Sequence, residues 1–375
     1  MRRIISFIAL LLFATGIYAQ DGMPSSKAQK LYNSAISKFN EGKVEEGEKL
    51  LLKATEEDSA FGRAYYMLSE LYYNLGRTED CVAILEKNNR VNGMYDSEAL
   101  YYLGIMYLMT GKYDKAKASF EKHLDNKRVS GTMRNRTNDL LLKADFAINA
   151  INNPVPFKPV NLGSKVNSSF PEYLPAVTAD EQYLLFTRFD TLEEANRWGF
   201  YNQEDFYQSV KIDGEWSKAV NLGPPMNTAG NEGAQTFSPD GQFIFFTSCT
   251  REDRYGDCDL FYARKSGDAW SAPVNLGKDV NSAYRESEPT FSSDGRTLIF
   301  VSDRPGGYGQ HDLWMTTLAD MGFWTRPVNL GKKINTEGYE RSPFLHPDNR
   351  TLYFASDGHI GMGARDLFYS RKDEK

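Results

Sequence analysis

Hydrophobic residues follow two different periods along this chain. From residue 27 to about 152 they recur every three or four positions, the spacing of amphipathic helices. Beyond residue 156, short apolar runs alternate with polar residues, as in half-buried strands. The stretch Asn152-Asn153-Pro154-Val155-Pro156 breaks the helical period and has the composition of a linker. We therefore predict a two-domain chain of the α plus all-β class, with a helical domain over 27–152 and an all-β domain over 153–375.

The helical part repeats with a nearly fixed period. Gly42, Gly76 and Gly111 lie 34 and 35 residues apart, and each follows one amphipathic segment and precedes another. A period of this length is typical of helical hairpins that stack side by side into a solenoid. We predict three such hairpins, and a further helix over about 133–151 that covers the last hydrophobic face.

The β part repeats as well. Four copies of Val-Asn-Leu-Gly begin at Val160, Val220, Val274 and Val328, at intervals of 60, 54 and 54 residues. Between the copies, turn residues such as Ser238-Pro239-Asp240-Gly241 separate short strand-like runs, four to a unit. Four-stranded sheets repeated in this way predict the blades of a β-propeller, with four recognisable blades.

The copies of Val-Asn-Leu-Gly and the blades are out of step by one. The first copy, Val160–Gly163, stands before the first blade, and the fourth blade has no copy after it. Either the first copy supplies the outer strand of the last blade and closes the ring, or the ring stays unfinished with an exposed sheet edge. The sequence leaves both alternatives open.

Both parts resemble known families. The third helical unit resembles the tetratricopeptide repeat at Leu103, Gly104, Tyr107, Gly111, Tyr113, Ala116 and Phe120. The turns Ser238–Gly241 and Ser292–Gly295, each followed by a hydrophobic strand, resemble the WD-like propeller repeats of TolB. The order of the two parts is similar to that of a periplasmic OmpA-type family of Bacteroidota, and to the layout of a type IX secretion component.

The resemblance to that periplasmic family implies a location and a set of partners. It implies an exported protein that is associated with the outer membrane and binds other cell-envelope proteins. Members of the family commonly continue into an OmpA-like domain that binds peptidoglycan. These 375 residues contain no such segment, so contact with peptidoglycan is expected only through a downstream domain that they lack.

Tetratricopeptide repeats also imply a binding groove, because the first helix of each hairpin lines the concave face of the solenoid. The positions expected to face this groove are Tyr32, Tyr66, Tyr73, Tyr101, Ile105 and Leu108. An apolar and aromatic surface of this size is typical of a binding site. Two occupants stay open: a peptide or helix of a partner, and a segment of this chain itself.

A glutamate recurs where the innermost strand of each blade is predicted to begin. The four are Glu172, Glu232, Glu286 and Glu340. Together they form a candidate rim at one mouth of the channel, where crowded carboxylates attract a cation or a ligand. Because every blade carries one, we favour the alternative that each accepts hydrogen bonds from nearby backbone. Repeated aspartates are expected to tie Gly-rich turns to their strands: Asp205, Asp259, Asp312 and Asp366.

The N-terminus predicts export. Arg2 and Arg3 precede the apolar run Ile4–Ile17, and the small residue Ala19 precedes a polar stretch, so we predict a cleaved signal peptide over 1–19. The apolar run is shorter than a membrane-spanning helix requires, and no other run is long enough, so no transmembrane span is expected in the mature chain. The net charge is -6 without a basic cluster, and nucleic acid is therefore not expected as a partner.

Export also permits a disulfide. Cys249 and Cys258 flank one polar loop between two strand-like runs, and we predict that they are bonded to each other. Cys81 is then left as a buried free thiol. No histidine or second cysteine pair accompanies Cys249 and Cys258, so neither zinc nor another metal is expected.

The sequence contains no enzyme signature that we recognise. A Gly-x-Ser-x-Gly elbow, a His-Glu-x-x-His helix and a phosphate-binding loop are all missing. We assign no catalytic residue and no cofactor, and we predict a non-enzymatic interaction scaffold of the cell envelope. The main alternative is a propeller that binds a small glycan or peptide ligand in its channel. A hydrolase is the third reading, for which we find no nucleophile and base.

Overall fold

The structure, a computed structural model, describes residues 24–92, 97–192, 199, 202–267 and 269–373. The predicted signal peptide, residues 1–19, lies outside these ranges. The chain divides into two compact units between Val155 and Pro156, inside the segment whose composition indicates a linker. The described part of the first unit is helical, and that of the second unit is built from short strands.

The first unit stacks its helices as hairpins. The helices are α1 (Ser26–Asn40), α2 (Val44–Glu57), α3 (Gly62–Asn74), α4 (Thr78–Asn92), α5 (Ser97–Met109), α6 (Tyr113–Asp125) and α7 (Gly131–Asn152). Helix α1 packs on α2, α3 on α4 and α5 on α6, and α7 covers α6. The prediction of three hairpins followed by a covering helix is confirmed.

Glycines permit both the tight turns and the close packing of these hairpins. Gly42, Gly76 and Gly111 follow the first helix of their hairpins with φ values of 74°, 70° and 69°, the left-handed conformation that ends helices. Gly104 serves a different purpose, because a Cβ atom built on it would lie 2.4 Å from the ring of Phe120. The absence of a side chain therefore lets α5 and α6 approach each other.

The described residues of the second unit form four antiparallel sheets. Its strands are β1 (Glu172–Val177), β2 (Tyr183–Thr191), β3 (Asn202–Ile212), β4 (Glu215–Trp216), β5 (Val220–Asn221), β6 (Glu232–Phe237), β7 (Phe243–Ser248), β8 (Asp259–Ser266), β9 (Ala269–Trp270), β10 (Val274–Asn275), β11 (Glu286–Phe291), β12 (Thr297–Ser302), β13 (Asp312–Thr317), β14 (Val328–Asn329), β15 (Glu340–Leu345), β16 (Thr351–Ser356) and β17 (Asp366–Arg371). Blade 1 contains β1–β5, blade 2 contains β6–β10, blade 3 contains β11–β14 and blade 4 contains β15–β17. The predicted four-blade propeller arrangement is confirmed.

The core of this unit lies between successive blades. In blade 2, Ile244 and Phe246 pack towards blade 1, whereas Phe245 and Leu260 pack towards blade 3. This follows from the alternation of side chains along a strand, which gives each buried sheet two apolar faces. A third apolar layer joins blades 3 and 4.

A β-bulge in the first strand of blades 2, 3 and 4 adds polar contacts to the preceding blade. In blade 2 the bulge contains Ala234, whose φ is 56° and whose N–H donates to Thr187 Oγ1 of blade 1 at 3.0 Å. In blade 3 the N–H of Glu288, with a φ of 51°, donates to Thr247 Oγ1 of blade 2 at 3.1 Å. The bulge thus redirects one backbone donor from its own sheet to the neighbouring blade.

The first Val-Asn-Leu-Gly copy differs from the other three in the structure. Three copies contribute short outer strands to blades 1, 2 and 3, as β5, β10 and β14. Val160–Gly163 forms no strand. In the described part of the chain, β17 pairs with β16 on one side and with no strand on the other. The first copy therefore does not complete blade 4 in this structure.

Candidate functional site

The residues predicted to line the groove all lie on the first helix of a hairpin. They are Tyr32 on α1, Tyr66 and Tyr73 on α3, and Tyr101, Ile105 and Leu108 on α5. Tyr73 is 53% exposed, and the other five are half-buried. Tyr32, Tyr101, Ile105 and Leu108 also pack against the hydrophobic core.

A tyrosine that was not predicted joins two of these helices. The ring of Tyr102 on α5 lies 6.1 Å from that of Tyr66 on α3, in an edge-to-face arrangement, and 5.5 Å from that of Tyr101. Burial raises the pKa of Tyr102, and the nearby groups Glu98, Tyr101 and Glu70 raise it further. Tyr66 and Tyr102 therefore form an aromatic patch with acidic residues beside it.

Glu70 gives this patch its electrostatic character. It lies one helical turn after Tyr66, so both side chains share one face of α3. Burial raises the pKa of the Glu70 carboxyl group, because a carboxylate loses hydration in that environment. A nearby cation would offset this loss. The patch is thus suited to apolar or aromatic groups that are accompanied by a lysine or an arginine.

Tyr101 contributes more to packing than the prediction implied. Its ring lies 5.5 Å from that of His123 and 6.5 Å from that of Phe120, both on α6. Tyr32 is similar, since its ring lies 5.2 Å from that of Phe61. Tyr102 packs against the hydrophobic core as Tyr101 does, so a variant of the Tyr66–Tyr102 pair tests binding only when its helices are shown to be intact.

The four glutamates do begin the first strand of each blade, but they do not form an open rim. Glu232, Glu286 and Glu340 are fully buried, and Glu172 is half-buried. Each carboxylate accepts hydrogen bonds within its own blade. In blade 3, Glu286 accepts from Ser282 N at 2.7 Å, Ser282 Oγ at 2.6 Å and Ser302 Oγ at 2.8 Å. These hydrogen bonds fix the loop before the strand, in keeping with the alternative favoured from the sequence, and three of the four side chains are buried rather than exposed at a rim.

Two of these glutamates also have arginine partners. Arg304 Nη2 lies 2.9 Å from Glu286 Oε1, and Arg251 Nη2 lies 3.6 Å from Glu232 Oε1. Burial raises the pKa of Glu232, and burial also lowers the pKa of Arg251. His359 occupies the corresponding place in blade 4, where its Nε2 lies 2.8 Å from Ile334 O. The residue types at this site were not anticipated from the sequence.

The repeated aspartates bind loop backbone and the asparagine of the outer strand. Asp259 accepts from Tyr255 N at 2.7 Å, from Gly256 N at 3.1 Å and from Asn275 Nδ2 at 2.8 Å. Asp312 makes the equivalent contacts in blade 3, including one from Asn329 Nδ2 at 2.7 Å. In blades 2 and 3, Asp259 and Asp312 therefore link the Gly-rich turn to the next Val-Asn-Leu-Gly segment.

The cysteines lie as the sequence suggests. Cys249 and Cys258 are bonded to each other across the loop that joins β7 and β8. Cys81 is a buried free thiol on α4, and its Sγ donates to Ser69 O at 3.3 Å. Burial raises the pKa of the Cys81 thiol to about 11. It is consequently a packing residue with little thiolate at neutral pH.

Metal ligands and membrane spans were sought among the described residues. Within those ranges, no three histidine, cysteine or acidic side chains are grouped so that they could hold a metal ion. None of the helices in the described part of the chain combines the length and the apolar character needed to cross a membrane.

Comparison with known proteins agrees with the helical part of the fold. Two family profiles, both described as tetratricopeptide repeat, match residues 62–87 and 98–125. They cover the second and third hairpins. No curated protein sequence matches the chain.

Solved structures with detectable similarity include a tetratricopeptide domain, a type III secretion chaperone and an enzyme. The first tetratricopeptide domain of Spaghetti (RPAP3), bound to an HSP90 peptide, is 20% identical, with 33% of this chain and 98% of that chain covered and a TM-score of 0.28. The chaperone SycD of Yersinia enterocolitica, in complex with a peptide of the translocator YopD, is 15% identical, with 32% and 95% covered and a TM-score of 0.29. An α-L-arabinofuranosidase from Lactobacillus brevis is 11% identical, with 53% and 72% covered and a TM-score of 0.37. TM-scores of this size carry no functional assignment.

Proposed function

We propose that this protein is a non-enzymatic interaction scaffold of the cell envelope, in which the helical groove holds a segment of another envelope protein. Tetratricopeptide domains bind peptide or protein partners, and the family matches fall on the hairpins that carry the groove. The observation that supports the proposal most directly is the edge-to-face pair of Tyr66 and Tyr102 on neighbouring helices.

The chemistry of the groove suggests the character of the bound segment. Aromatic side chains offer a large contact area that loses little conformational entropy on binding, and tyrosine adds a hydroxyl group for polar contacts. Glu70 and Glu98 lie near the rings, as their influence on the pKa of Tyr102 indicates. A segment with one or two apolar anchors and an adjacent lysine or arginine is complementary to this surface. The segment proposed here belongs to a second protein rather than to this chain.

The envelope location rests on the predicted signal peptide and on the resemblance to the periplasmic OmpA-type family. In layout the chain is similar to the type IX secretion component PorE, and we propose a place in an outer-membrane, peptidoglycan-associated or secretion assembly. Fractionation of cells into cytoplasm, periplasm and membranes tests this part. Recovery of the chain in the cytoplasm with residues 1–19 intact would contradict it.

A non-catalytic role fits the use of polar groups in the propeller. The buried glutamates and aspartates that the sequence offers as candidates are engaged in hydrogen bonds inside the blades. No observation favours the alternative of a small ligand in the channel, since Glu232 and Glu286 are buried.

The experiment that tests the groove compares two variants in co-purification from envelope extracts. Tyr66→Ala with Tyr102→Ala removes the aromatic patch, and the partner should be lost. Val91→Ala is the control, because Val91 is exposed on α4, a second helix of a hairpin. Circular dichroism verifies that both variants keep their helices. Retention of every partner by the double variant would contradict the proposal.

A further inference from the structure

Blades 2 and 3 share a short motif in the loop that joins their second and third strands. It reads Tyr255-Gly256-Asp257-Cys258-Asp259 in blade 2 and Tyr308-Gly309-Gln310-His311-Asp312 in blade 3. The last aspartate of the motif is the first residue of the third strand. Only the tyrosine, the glycine and this aspartate are the same in both loops, so each of the three needs a physical explanation.

The aspartates hold the backbone of both tyrosines. Asp259 accepts from Tyr255 N at 2.7 Å, and Asp312 accepts from Tyr308 N at 2.5 Å. The second oxygen of each carboxylate accepts from the N–H of the glycine that follows the tyrosine. Both aspartates are buried. A short acidic side chain that accepts from two successive N–H groups fixes the path of a loop.

The glycines let these loops pack closely against the segment that leads into the next blade. A Cβ atom built on Gly256 would lie 1.8 Å from Tyr284 O, and the N–H of Asp257 donates to that oxygen at 3.1 Å. In blade 3, a Cβ atom built on Gly309 would lie 2.3 Å from Thr336 O. Glycine is therefore required where backbone meets backbone, and the residue after each tyrosine is fixed as well.

The tyrosine rings, in contrast, are exposed. Tyr255 is 55% exposed and Tyr308 is 52% exposed, although the backbone at both positions is held in place. Tyr284, whose carbonyl oxygen receives the loop of blade 2, is 44% exposed. We term these three residues the tyrosine face. Packing of the blades does not account for them, whereas rigidly held tyrosines are typical of protein-binding surfaces, because little conformational entropy is lost on contact.

Acidic side chains accompany the tyrosine face. Three acids and one arginine are exposed in the loop of blade 2: Glu252, Asp253, Asp257 and Arg254. Arg251 and Arg304 do not offset this charge, because each is directed inward to a buried glutamate. Near Tyr284 and Tyr308, the exposed Asp303 and the half-buried Arg285 carry one charge of each sign. The surface around the three rings is therefore acidic.

We propose that the tyrosine face is a second protein-binding surface, which takes a basic segment of another protein. The face of a tyrosine ring and a nearby carboxylate both attract a lysine or an arginine. This charge complementarity decides the occupant, since an acidic segment would be repelled and a neutral saccharide would leave the carboxylates without a counter-charge. The surface belongs to the second unit and shares no residue with the groove of the first.

Selection from a phage-displayed library of random peptides tests the composition of the ligand. The library is first depleted on the full chain with Tyr255→Ala, Tyr284→Ala and Tyr308→Ala, which removes peptides that bind the groove or any other unchanged surface. It is then selected on the unchanged full chain. We expect lysine and arginine to be about twice as frequent in the recovered peptides as in the input library. Recovery of acidic or uncharged peptides, or of none, would overturn the proposal.

Binding of the most frequent recovered peptide, synthesised with a fluorescent label, tests the site. Fluorescence anisotropy gives its Kd for the full chain. Tyr255→Ala with Tyr308→Ala should raise the Kd by about tenfold, the effect of removing two aromatic contacts. Asp253→Asn with Asp257→Asn should raise the Kd and reduce its dependence on salt. Unchanged binding by either double variant would overturn the proposal.

Phe323→Ala is the matched control. Phe323 is 53% exposed, but it follows β13, whereas Tyr308 precedes that strand, so the two rings lie at opposite ends of blade 3. Its Kd should equal that of the unchanged chain. Circular dichroism verifies that all variants stay folded. A loss in Phe323→Ala as large as that in the tyrosine variant would overturn the assignment to the tyrosine face.

The groove variant, Tyr66→Ala with Tyr102→Ala, separates this inference from the proposed function. It should bind the peptide with an unchanged Kd. If it alone loses the peptide, the tyrosine face is not the site, and this inference fails while the groove proposal stands. Binding of chitohexaose that is lost in the tyrosine variant, together with recovery of no basic peptide, would identify a saccharide surface instead and overturn the proposal.

Discussion

The amide of Asn281 makes two hydrogen bonds with the backbone of Leu260, one as acceptor from its N–H and one as donor to its C=O. Both residues are buried. Leu260 O also accepts from Leu276 N at 3.0 Å, so the Asn281 side chain matters most to the Leu260 N–H. A buried N–H is costly to leave unpaired.

This relationship predicts the effect of Asn281→Ala. The change removes the Asn281 partner of the Leu260 N–H and one of the two donors to Leu260 O, since Leu276 N still donates to that oxygen. We expect the free energy of unfolding of the propeller to fall by about 1–3 kcal/mol, chiefly because the buried N–H is left unpaired. Asn167→Ala is the matched control, since the equivalent amide in the first copy has no such buried strand to complete; its effect should stay within about 0.5 kcal/mol.

Urea unfolding followed by tryptophan fluorescence measures both variants. All five tryptophans lie after residue 156, so the signal reports the second unit alone. Equal losses in the two variants would show that the asparagine acts only within its own turn, and would contradict the role given to Asn281.

A second prediction concerns helix packing at Gly104. A methyl group on residue 104 would lie 2.4 Å from the ring of Phe120, which is a steric clash. Gly104→Ala should therefore lower the stability of the helical unit by about 1–3 kcal/mol, the usual cost of overpacking. Thermal unfolding monitored by circular dichroism at the helix band measures it.

Gly131→Ala is the control for that experiment. Gly131 is the first residue of α7, and a Cβ atom built on it meets nothing within 4 Å. Alanine also favours helix more than glycine does, so this variant should be as stable as the unchanged chain or slightly more stable. A loss equal to that of Gly104→Ala would contradict the packing account.

A third prediction concerns the thiols. Cys81 is buried, and burial raises its pKa to about 11, so it should react very slowly with a thiol reagent at pH 8 in the folded chain. In denaturant without reductant, one thiol per chain should react, because Cys249 and Cys258 are bonded to each other. Three reactive thiols in denaturant would contradict the disulfide.

A fourth prediction concerns pH. Burial raises the pKa of Glu232 above its ordinary value of 4.5. A carboxyl group with a raised folded-state pKa contributes stability that is present below the unfolded value and is lost as the pH rises through the folded value. The difference in unfolding free energy between the unchanged chain and Glu232→Gln should therefore shift against the unchanged chain as the pH rises above about 4.5.

Urea unfolding at several pH values between 4.5 and 7 gives this difference. Other carboxyl groups are common to both chains, so their contributions cancel. A difference that does not change with pH would show that the Glu232 carboxyl has the same pKa in the folded and unfolded states.

The periodic features of the fold were predictable from the sequence. Gly42, Gly76 and Gly111 end helices because the backbone at each of them has a left-handed conformation, which favours glycine. This requirement depends only on the residues of the turn itself. Three of the four Val-Asn-Leu-Gly copies form the outer strands that the repeat predicts, because each of these repeats carries its own turn residues. Turn residues that recur at a fixed spacing can be recognised in the sequence, so the number and order of the repeats can be predicted.

Features that depend on contacts between repeats were not predictable in the same way. The repetition of the glutamates favours a hydrogen-bonding role, but position along a strand does not reveal that the donors to Glu286 include the hydroxyl groups of Ser282 and Ser302. Tyr102 was overlooked since its partner Tyr66 lies on another hairpin. The bulge at Ala234 has no sequence signature, because its N–H is satisfied by Thr187 of the preceding blade.

The most direct test of the scaffold account is photo-crosslinking at the groove. A photoreactive phenylalanine analogue at position 66 is illuminated in intact cells, and linked proteins are identified after fractionation. We predict one dominant envelope protein, linked at position 66 and not at position 91 on α4, and lost when Tyr102→Ala is added. Equal linking at positions 66 and 91, or a partner confined to the cytoplasm, would contradict the account.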